Sequence, residues 1–537
     1  MASEDNREVS GWSSWKLLAL VVFLTALLRI IVALLPQAIH VDGATQYLPA
    51  AERYYHEGLS AGLAGSMEMP LFPVSIALLT TLTHNFELAA RIISLVAGIV
   101  TVIPLYYLVR NLFGPKHAAL AGILFACCPL FVRNSSEVTK ESLFGMFFVF
   151  GMWLGWLAIS RRKLWMCLPA GIVGALAYMT RPDGLDLFAA WGIWLGAGFL
   201  YYLFRDRRQA LIHLAAGLVI VLPTLVLGVA YVLHVHHKTG EWTVSEKKSV
   251  LRLIQGREAK PDEGKLPVVK KVGLFLGRSL VSLKEVGREL FNELGAVFVL
   301  LVILALAMRR GAVFRGNERY LAMLCGIQLI IAYLIVMHFS LFRGLTLVDS
   351  SFSGRHLLSL LLALWCWIGW GIVAVERGAS RVLAKMGRRM SPERPVLTAV
   401  LLSLIFLGML PVALKGPHAD KLADKDLGAW LKAHAPKNVK VMTGDRRIAY
   451  YAGLPEDVMV RYPRDWALKF DAALRKACDP KVKATHLCLS DDDLAQVSSQ
   501  VESAVRKGQL KPVFRTSLTH RENTALYEVV CNAAAPP

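Results

Sequence analysis

Apolar and polar residues alternate along this chain in long blocks. The first block, "LLALVVFLTALLRIIVALL", fills 17–35 and gives way at once to "IHVDGATQYLPAAERYYHEG". A helix that crosses a bilayer takes about 20 apolar residues. Runs near that length recur at 17–35, 88–109, 117–132, 141–159, 164–179, 187–204, 210–233, 294–308, 320–338, 356–375 and 396–414. The pattern predicts a mainly α, polytopic membrane protein with about eleven transmembrane helices. The shorter, Pro-flanked "PLFPVSIALLTTLTH" (70–84) reads as interfacial or re-entrant. The first run lacks a basic start and a small-residue cleavage site, so it reads as a retained helix rather than a signal peptide.

Beyond residue 414 the blocks stop. "DLGAWLKAH" and "DDLAQVSSQVESAVRKG" carry helical periodicity, and "VKVMTG", "THLCLSD", "KPVFRTSL" and "TALYEVV" read as strands. The chain therefore divides at the sequence level into a transmembrane domain, 1–414, and a small soluble α/β domain, 415–537. The first domain has an outer loop at 36–86 and a long outer loop at 234–293.

Composition agrees with this division. The 537 residues are 55% hydrophobic, with a mean hydropathy of +0.47, more apolar than a soluble chain of this size. The net charge of +20 raises nucleic-acid binding, but its placement excludes it. The basic residues sit in short loops: Arg110 with Lys116, "SRRK" (160–163), "RDRRQ" (205–209), "RRGAVFRGNER" (309–319) and "ERGASRVLAKMGRRMSPERP" (376–395). Every second short loop is basic, which places these loops and the N-terminus in the cytoplasm, with some attraction to anionic lipid. The loop with Asp42, the "RNSSEVTK" loop (133–140), the long loop 234–293 and the tail then face outward. Five of the eight cysteines lie in apolar runs and read as packing, and Cys478, Cys488 and Cys531 lie in the tail with their pairing open. No CxxC spacing exists, so no metal site of that type is expected.

Ionisable groups at a membrane edge are costly and become candidates for function. Asp42 follows the first span. It is a candidate base or the N-cap of the next helix, with Tyr47, Tyr54 and Tyr55 anchoring that helix at the lipid interface. Glu137, Lys140 and Glu141 open a span and read equally as solvated helix-end charge. Arg181, with Asp183 and Asp186, lies between two apolar runs. It needs a partner, and a phosphate or a carboxylate would each serve. Arg355 and His356 open another run. All four groups fall on the outer side, where a carboxylate and several cations suit transfer from a phosphate-linked donor. There is no Walker A loop, HExxH or GxSxG. "GMWLG" and "GIWLG" read as helix packing, and His234, His236 and His237 as a solvated loop.

The ordered set of Asp42, "QYLPAAERYYHEG", "MPLFPV", "FELAARIISLVAGIVTVIPLYYLVRNLFG", "TRPDGL" and "SGRHLLSL" resembles the GT-C glycosyltransferases. The branch is that of protein O-mannosyltransferases and the bacterial lipid A aminoarabinose transferase. The resemblance covers roughly 17–375 and implies a GT-C fold in a bacterial inner membrane, with the active site and tail on the periplasmic side. It implies a polyprenyl-phosphate sugar donor, a lipid, glycan or protein acceptor, and transfer to an acceptor hydroxyl with Asp42 as the catalytic base. Glu137 is a second catalytic candidate; Lys140, Arg181, Arg355 and His356 are candidates for the donor phosphate. Two positions depart from the family. Many relatives have Asp-Glu where this chain has Asp42-Gly43, and some have Lys where it has Glu68 and Met69. The missing second carboxylate argues against a catalytic metal, and no cofactor is implied. A transporter or flippase of a lipid-linked sugar is the alternative reading, and a glycan polymerase or an assembly protein are others.

Overall fold

A computed structural model describes residues 14–161, 164–246, 268–315, 318–350, 352–385, 396–436, 439–454, 459–461, 470–479, 482–516 and 523–531. The basic loops at 160–163, 309–319 and 376–395 and the long outer loop at 234–293 lie partly outside the described residues. The chain forms two compact units. One, the membrane unit, comprises the described parts of Met1–Ala33, Arg53–Ser136 and Lys140–Leu414. The other, the tail unit, joins Leu34–Glu52 and Glu137–Thr139 to the described parts of Lys415–Pro537. Both short segments lie within 1–414, the range expected to form the transmembrane domain, yet belong to the tail unit.

In the membrane unit, every apolar run is helical, but not every run makes a straight span. Among the described residues, six helices are long and apolar enough to cross a bilayer: Trp15–Ala33, Phe86–Phe113, Glu141–Ile159, Pro182–Leu203, Arg207–Thr239 and Arg319–Phe339. Three more apolar stretches are bent pairs: Pro115–Cys127 with Pro129–Ser136 (57°), Val272–Leu294 with Ala296–Gly311 (110°), and Gly354–Trp365 with Ile368–Val382 (56°). Counting each pair as one span gives nine, and Leu164–Thr180 and Thr398–Ala413 are shorter apolar helices. The expected eleven spans thus resolve into six, or up to nine, plus short helices, and the chain is a multi-pass membrane protein. The breaks have local causes. Pro129 starts the second helix of the first pair, where its missing N–H costs nothing. Gly295, at φ 79°, sits at the sharpest bend, a conformation glycine adopts without a steric penalty. The segment expected to be interfacial or re-entrant forms the 13-residue helix Leu71–Thr83.

Caps set helix starts. The Asn85 side chain accepts from the Leu88 N–H, and Asp206 accepts from the Arg208 and Gln209 N–H groups, so each satisfies donors a helix start leaves open. Trp191, Trp365 and Trp367 are fully buried, and each indole N–H finds an acceptor, as a buried Trp requires. They donate to the Tyr320 hydroxyl at 2.8 Å, the Ala121 carbonyl at 3.0 Å and Glu318 at 2.7 Å. Of the two GxxxG motifs, only the first packs as expected. A Cβ at Gly151 or Gly155 would run into Leu187 or Trp191, whereas Gly192 and Gly196 meet nothing within 4 Å. A short antiparallel hairpin, β1 (Leu341–Arg343) with β2 (Thr346–Asp349), turns at Gly344, φ 62°.

In the tail unit, the described strands form a five-stranded sheet in the order β4-β3-β5-β7-β6. These are β3 (Val441–Thr443), β4 (Met459–Arg461), β5 (His486–Ser490), β6 (Leu510–Arg515) and β7 (Thr524–Val529). The β4-β3-β5 pairs are parallel, and β5-β7 and β7-β6 are antiparallel. Leu422–His434 and Asp491–Arg506 are the two helices expected from the periodicity, the second opened by a Ser490/Asp493 capping box. β4 and the helices Arg447–Ala452 and Phe470–Ala477 were not expected. Cys478 and Cys531 form a disulfide across a sequence separation of 53, and Cys488 is a buried free thiol.

Candidate functional site

Asp42 lies in the tail unit. The five residues after it, Gly43–Tyr47, form a π-helical turn, and Asp42 itself is helical with no side-chain cap bond. The N-cap alternative therefore fails. A π turn inserts a residue into the helical ladder, a device that recurs at functional sites. Within it Gln46, four residues on, donates from Nε2 to Asp42 Oδ1 at 3.2 Å. The Asp42 N–H donates to His40 Nδ1 at 3.1 Å, and Asp42 Oδ2 stands 3.9 Å from the same nitrogen. The Asp42 side chain stays 18% exposed, open to a reactant. Ile39 is tied to the tail by its N–H, which donates to the Tyr451 hydroxyl at 2.8 Å.

Gly43 explains one departure from the resembled family. A Cβ there would come within 2.8 Å of the Val138 carbonyl oxygen, so the 137–139 segment lies where a second acidic side chain would begin. That segment carries Glu137, which is 5% exposed. Its Oε1 is 3.6 Å from His418 Nε2, and the His418 and His40 rings meet edge to face at 5.3 Å. Glu137 is thus not a solvated helix-end charge. His40 and His418 were missed at the sequence level. His40 had one signal, its place two residues before Asp42, and His418 had none, since only the fold brings it near residue 40.

In the membrane unit, two of the candidate cations, Lys140 and Arg181, occupy buried ion pairs. Lys140 Nζ sits 2.5 Å from Glu68 Oε2, with the Glu68 side chain 2% exposed. Glu68, noted only as a departure from the family, is therefore the partner of Lys140. Arg181 spends its fork on three segments. Nη1 donates to Glu141 Oε1 at 2.7 Å, Nε to Asp183 Oδ2 at 2.8 Å, and Nη2 to the Arg355 carbonyl at 2.9 Å. Its guanidinium also lies 5.4 Å from the Phe144 ring centroid, within cation–π range. The partner that the depth of Arg181 called for is thus a pair of carboxylates. Arg355 stands in a 3-10 turn, Gly354–Leu357, with its side chain exposed. His356 closes that turn from within. Its Nδ1 accepts from the Ser353 N–H at 3.2 Å, and its ring stacks on Phe352.

Other expectations change with burial. Tyr47 and Tyr54 are 2% and 7% exposed, so of the three tyrosines expected at the lipid interface only Tyr55, 41% exposed, presents its ring outward. His234, His236 and His237 lie on the helix Arg207–Thr239 rather than in a loop, and His236 stacks on Trp242 at 3.9 Å.

A second polar cluster lines a cavity at the carboxyl ends of β3 and β5: Asp424, Thr443, Asp445, Ser490 and Asp493, with Cys488 at its floor. Burial, with the nearby charge of Asp445, pushes the Asp424 carboxyl up to about 7. Burial acts on Asp445 too, but its bonds to the Arg447 guanidinium prevail and hold it below the usual carboxylate range.

The comparisons agree with this architecture. Residues 68–227 match the family model for dolichyl-phosphate-mannose-protein mannosyltransferase. The structure is similar to that of ArnT from Cupriavidus metallidurans bound to undecaprenyl phosphate. The TM-score is 0.56 at 16% identity, over 98% of this chain and 100% of that chain. The fold is the GT-C fold. The Archaeoglobus fulgidus oligosaccharyltransferase in complex with Zn and sulfate also shares it, with a TM-score of 0.53 at 13% identity, over 94% of this chain and 73% of that chain. No curated protein sequence matches the chain. The resemblance read from "TRPDGL" and its neighbours thus meets a GT-C fold that extends beyond residues 17–375 into the tail.

The Arg181 network makes a prediction about stability. Arg181→Ala leaves Glu141 and Asp183 without their shared cation, and breaking such a buried pair costs about 3–5 kcal/mol. Thermal denaturation in detergent should show that loss. Adding Glu141→Gln to Arg181→Ala should recover part of it, because one uncompensated charge is removed. A melting temperature unchanged in Arg181→Ala would contradict a structural role for the network.

Proposed function

We propose that this protein is a glycosyltransferase that moves a sugar from a polyprenyl-phosphate-linked donor to an acceptor hydroxyl. Three things support the reading: the GT-C fold, the family-model match over residues 68–227, and the similarity to an ArnT structure that holds undecaprenyl phosphate. The observation that carries the assignment of Asp42 is its geometry. The carboxylate does not cap its helix, is oriented by Gln46, and remains partly exposed.

In the proposed reaction the acceptor oxygen attacks the anomeric carbon of the donor sugar. The bond from that carbon to the phosphate oxygen breaks, and polyprenyl phosphate leaves. Asp42 takes the acceptor proton as general base, and Glu137, on the segment that packs against Gly43, is the second catalytic candidate. The departing phosphate gains charge that a cation stabilises. Among Lys140, Arg181, Arg355 and His356, the exposed Arg355 side chain suits that task best. Arg181 serves as a positioning residue through its bond to the Arg355 carbonyl. Lys140 and His356 are engaged by Glu68 and Ser353. The acceptor is a lipid, a glycan or a protein bearing a hydroxyl.

Asp42→Asn preserves size and the Gln46 contact but removes the base. Turnover of a radiolabelled polyprenyl-phosphate sugar by the purified protein should fall on the order of 10²-fold or more, with the melting temperature unchanged. Near-normal turnover would remove Asp42 from the chemistry.

We further infer that the tail faces the periplasm of a bacterial cytoplasmic membrane. The basic short loops support this orientation. So does the Cys478–Cys531 disulfide, since such bonds persist in oxidising compartments. Alkylation of intact cells before lysis, followed by non-reducing peptide mapping, should recover the two cysteines linked. Recovering both as alkylated thiols would contradict a periplasmic tail.

A further inference from the structure

We propose that His40, Glu137 and His418 form a binding site for a divalent cation of the zinc class, which clamps the Asp42 turn. The three residues come from three separate stretches of the tail unit: Leu34–Glu52, Glu137–Thr139 and the segment that begins at Lys415. One ligand atom from each lies within 4.8 Å of the others. Zinc bonds of about 2.0–2.2 Å in tetrahedral geometry place neighbouring ligand atoms roughly 3.4 Å apart. His418 Nε2 and Glu137 Oε1, at 3.6 Å, already stand near that separation. The remaining approach, about an ångström, is within reach of side-chain rotation.

The chemistry of the donors selects the ion. Two imidazoles and one carboxylate match the three protein ligands of zinc sites that keep a fourth position open. Magnesium and calcium prefer all-oxygen shells, whereas imidazole suits zinc and its neighbours. The Glu137 carboxylate is 5% exposed, and a dication beside it would offset the cost of burying its charge.

The backbone supplies an independent sign. His418 holds φ 51°, ψ 29°, a left-handed conformation uncommon for a residue with a side chain. Strain of this kind collects at ligand clamps.

The consequence falls on Asp42. His40 Nδ1 receives the Asp42 N–H at 3.1 Å and lies 3.9 Å from its carboxylate. A zinc-ligating imidazole keeps its one proton on the other nitrogen, so with the ion on Nε2 the His40 Nδ1–H would give up the Asp42 N–H contact and donate toward the Asp42 carboxylate, and the bound ion would thereby fix the turn that presents Asp42. Binding of the ion does not depend on Asp42 acting as a base, so the two assignments can fail separately.

The test uses the full-length protein in detergent with any polyhistidine tag removed. After chelation, zinc should raise the wild-type melting temperature, and magnesium at equal concentration should not. Zinc titration of His40→Ala, Glu137→Gln and His418→Ala should show affinity lowered by at least about 10-fold, a floor set by the loss typical of disturbing even a ligand's outer partner. Each variant should melt with the chelated wild type, which separates lost binding from lost folding. If a variant does not fold, the wild-type comparison of zinc with magnesium decides the matter without it. A wild-type melting temperature that zinc leaves unmoved, or equal zinc uptake by the wild type and the folded variants, would overturn the site.

Discussion

An ionisable side chain buried among apolar helices must find a counter-charge or a polar partner inside the protein, and much of the membrane unit is arranged around that requirement. Arg181 binds Glu141, Asp183 and the Arg355 carbonyl. Lys140 binds Glu68. Arg309 binds Glu318, which also accepts from the Trp367 indole. Arg29, fully buried in the first span, donates to the Ser135 hydroxyl at 2.9 Å and lies 5.0 Å from the Phe125 ring centroid. The contacts of Arg181 with Glu141 and Arg355, Lys140 with Glu68, Trp367 with Glu318 and Arg29 with Ser135 join elements far apart in sequence. The pairs thus act as registry points, holding helices that apolar packing alone would leave free to slide.

The same requirement separates two kinds of candidate. Arg181 and the Lys140–Glu68 pair are buried ion pairs, whereas Asp42 and Arg355, the residues proposed for the chemistry, keep side-chain area open to solvent. Rigid helices with reactive groups on the connecting segments are the usual division of labour in proteins. Here it goes further, since Leu34–Glu52 and Glu137–Thr139 fold with the tail although their chain neighbours fold with the helices. The proposed cation site lies wholly among these tail-unit residues, so it bears on the geometry of Asp42 and not on the helix packing.

What the sequence revealed follows from the range of each interaction. Helix formation in apolar blocks is a local property, so every apolar run was legible, and so were the strands β3, β5, β6 and β7. Bends were not, because the break at Gly295 depends on the φ of one residue at the edge of an apolar run. The three-residue strand β4 was too short to carry a period. Asp42, Glu137, Lys140, Arg181, Arg355 and His356 stood out because a charge at a membrane edge is conspicuous. Of their partners only Asp183, two residues from Arg181, was in view; the distant ones were not, since Glu68 meets Lys140 across 72 residues and Arg181 meets the Arg355 carbonyl across 174. The departure at Gly43 became intelligible only when Val138 was found against it. Tyrosine is amphipathic, and its sequence does not say whether a neighbour covers it; that is why Tyr54 was expected at the lipid interface and is buried.

The central claim is that this GT-C chain breaks the bond between a sugar and a lipid phosphate instead of carrying the intact lipid across a membrane. The most direct measurement follows the lipid product. Purified protein in detergent, where no two sides exist, is given a polyprenyl-phosphate sugar labelled in the lipid, together with an acceptor-rich envelope extract. Chromatography should show free polyprenyl phosphate accumulating with time, in step with sugar appearing on an acceptor. A donor that remains intact in detergent, yet crosses vesicles reconstituted with the same protein, would contradict the account and establish transport in its place.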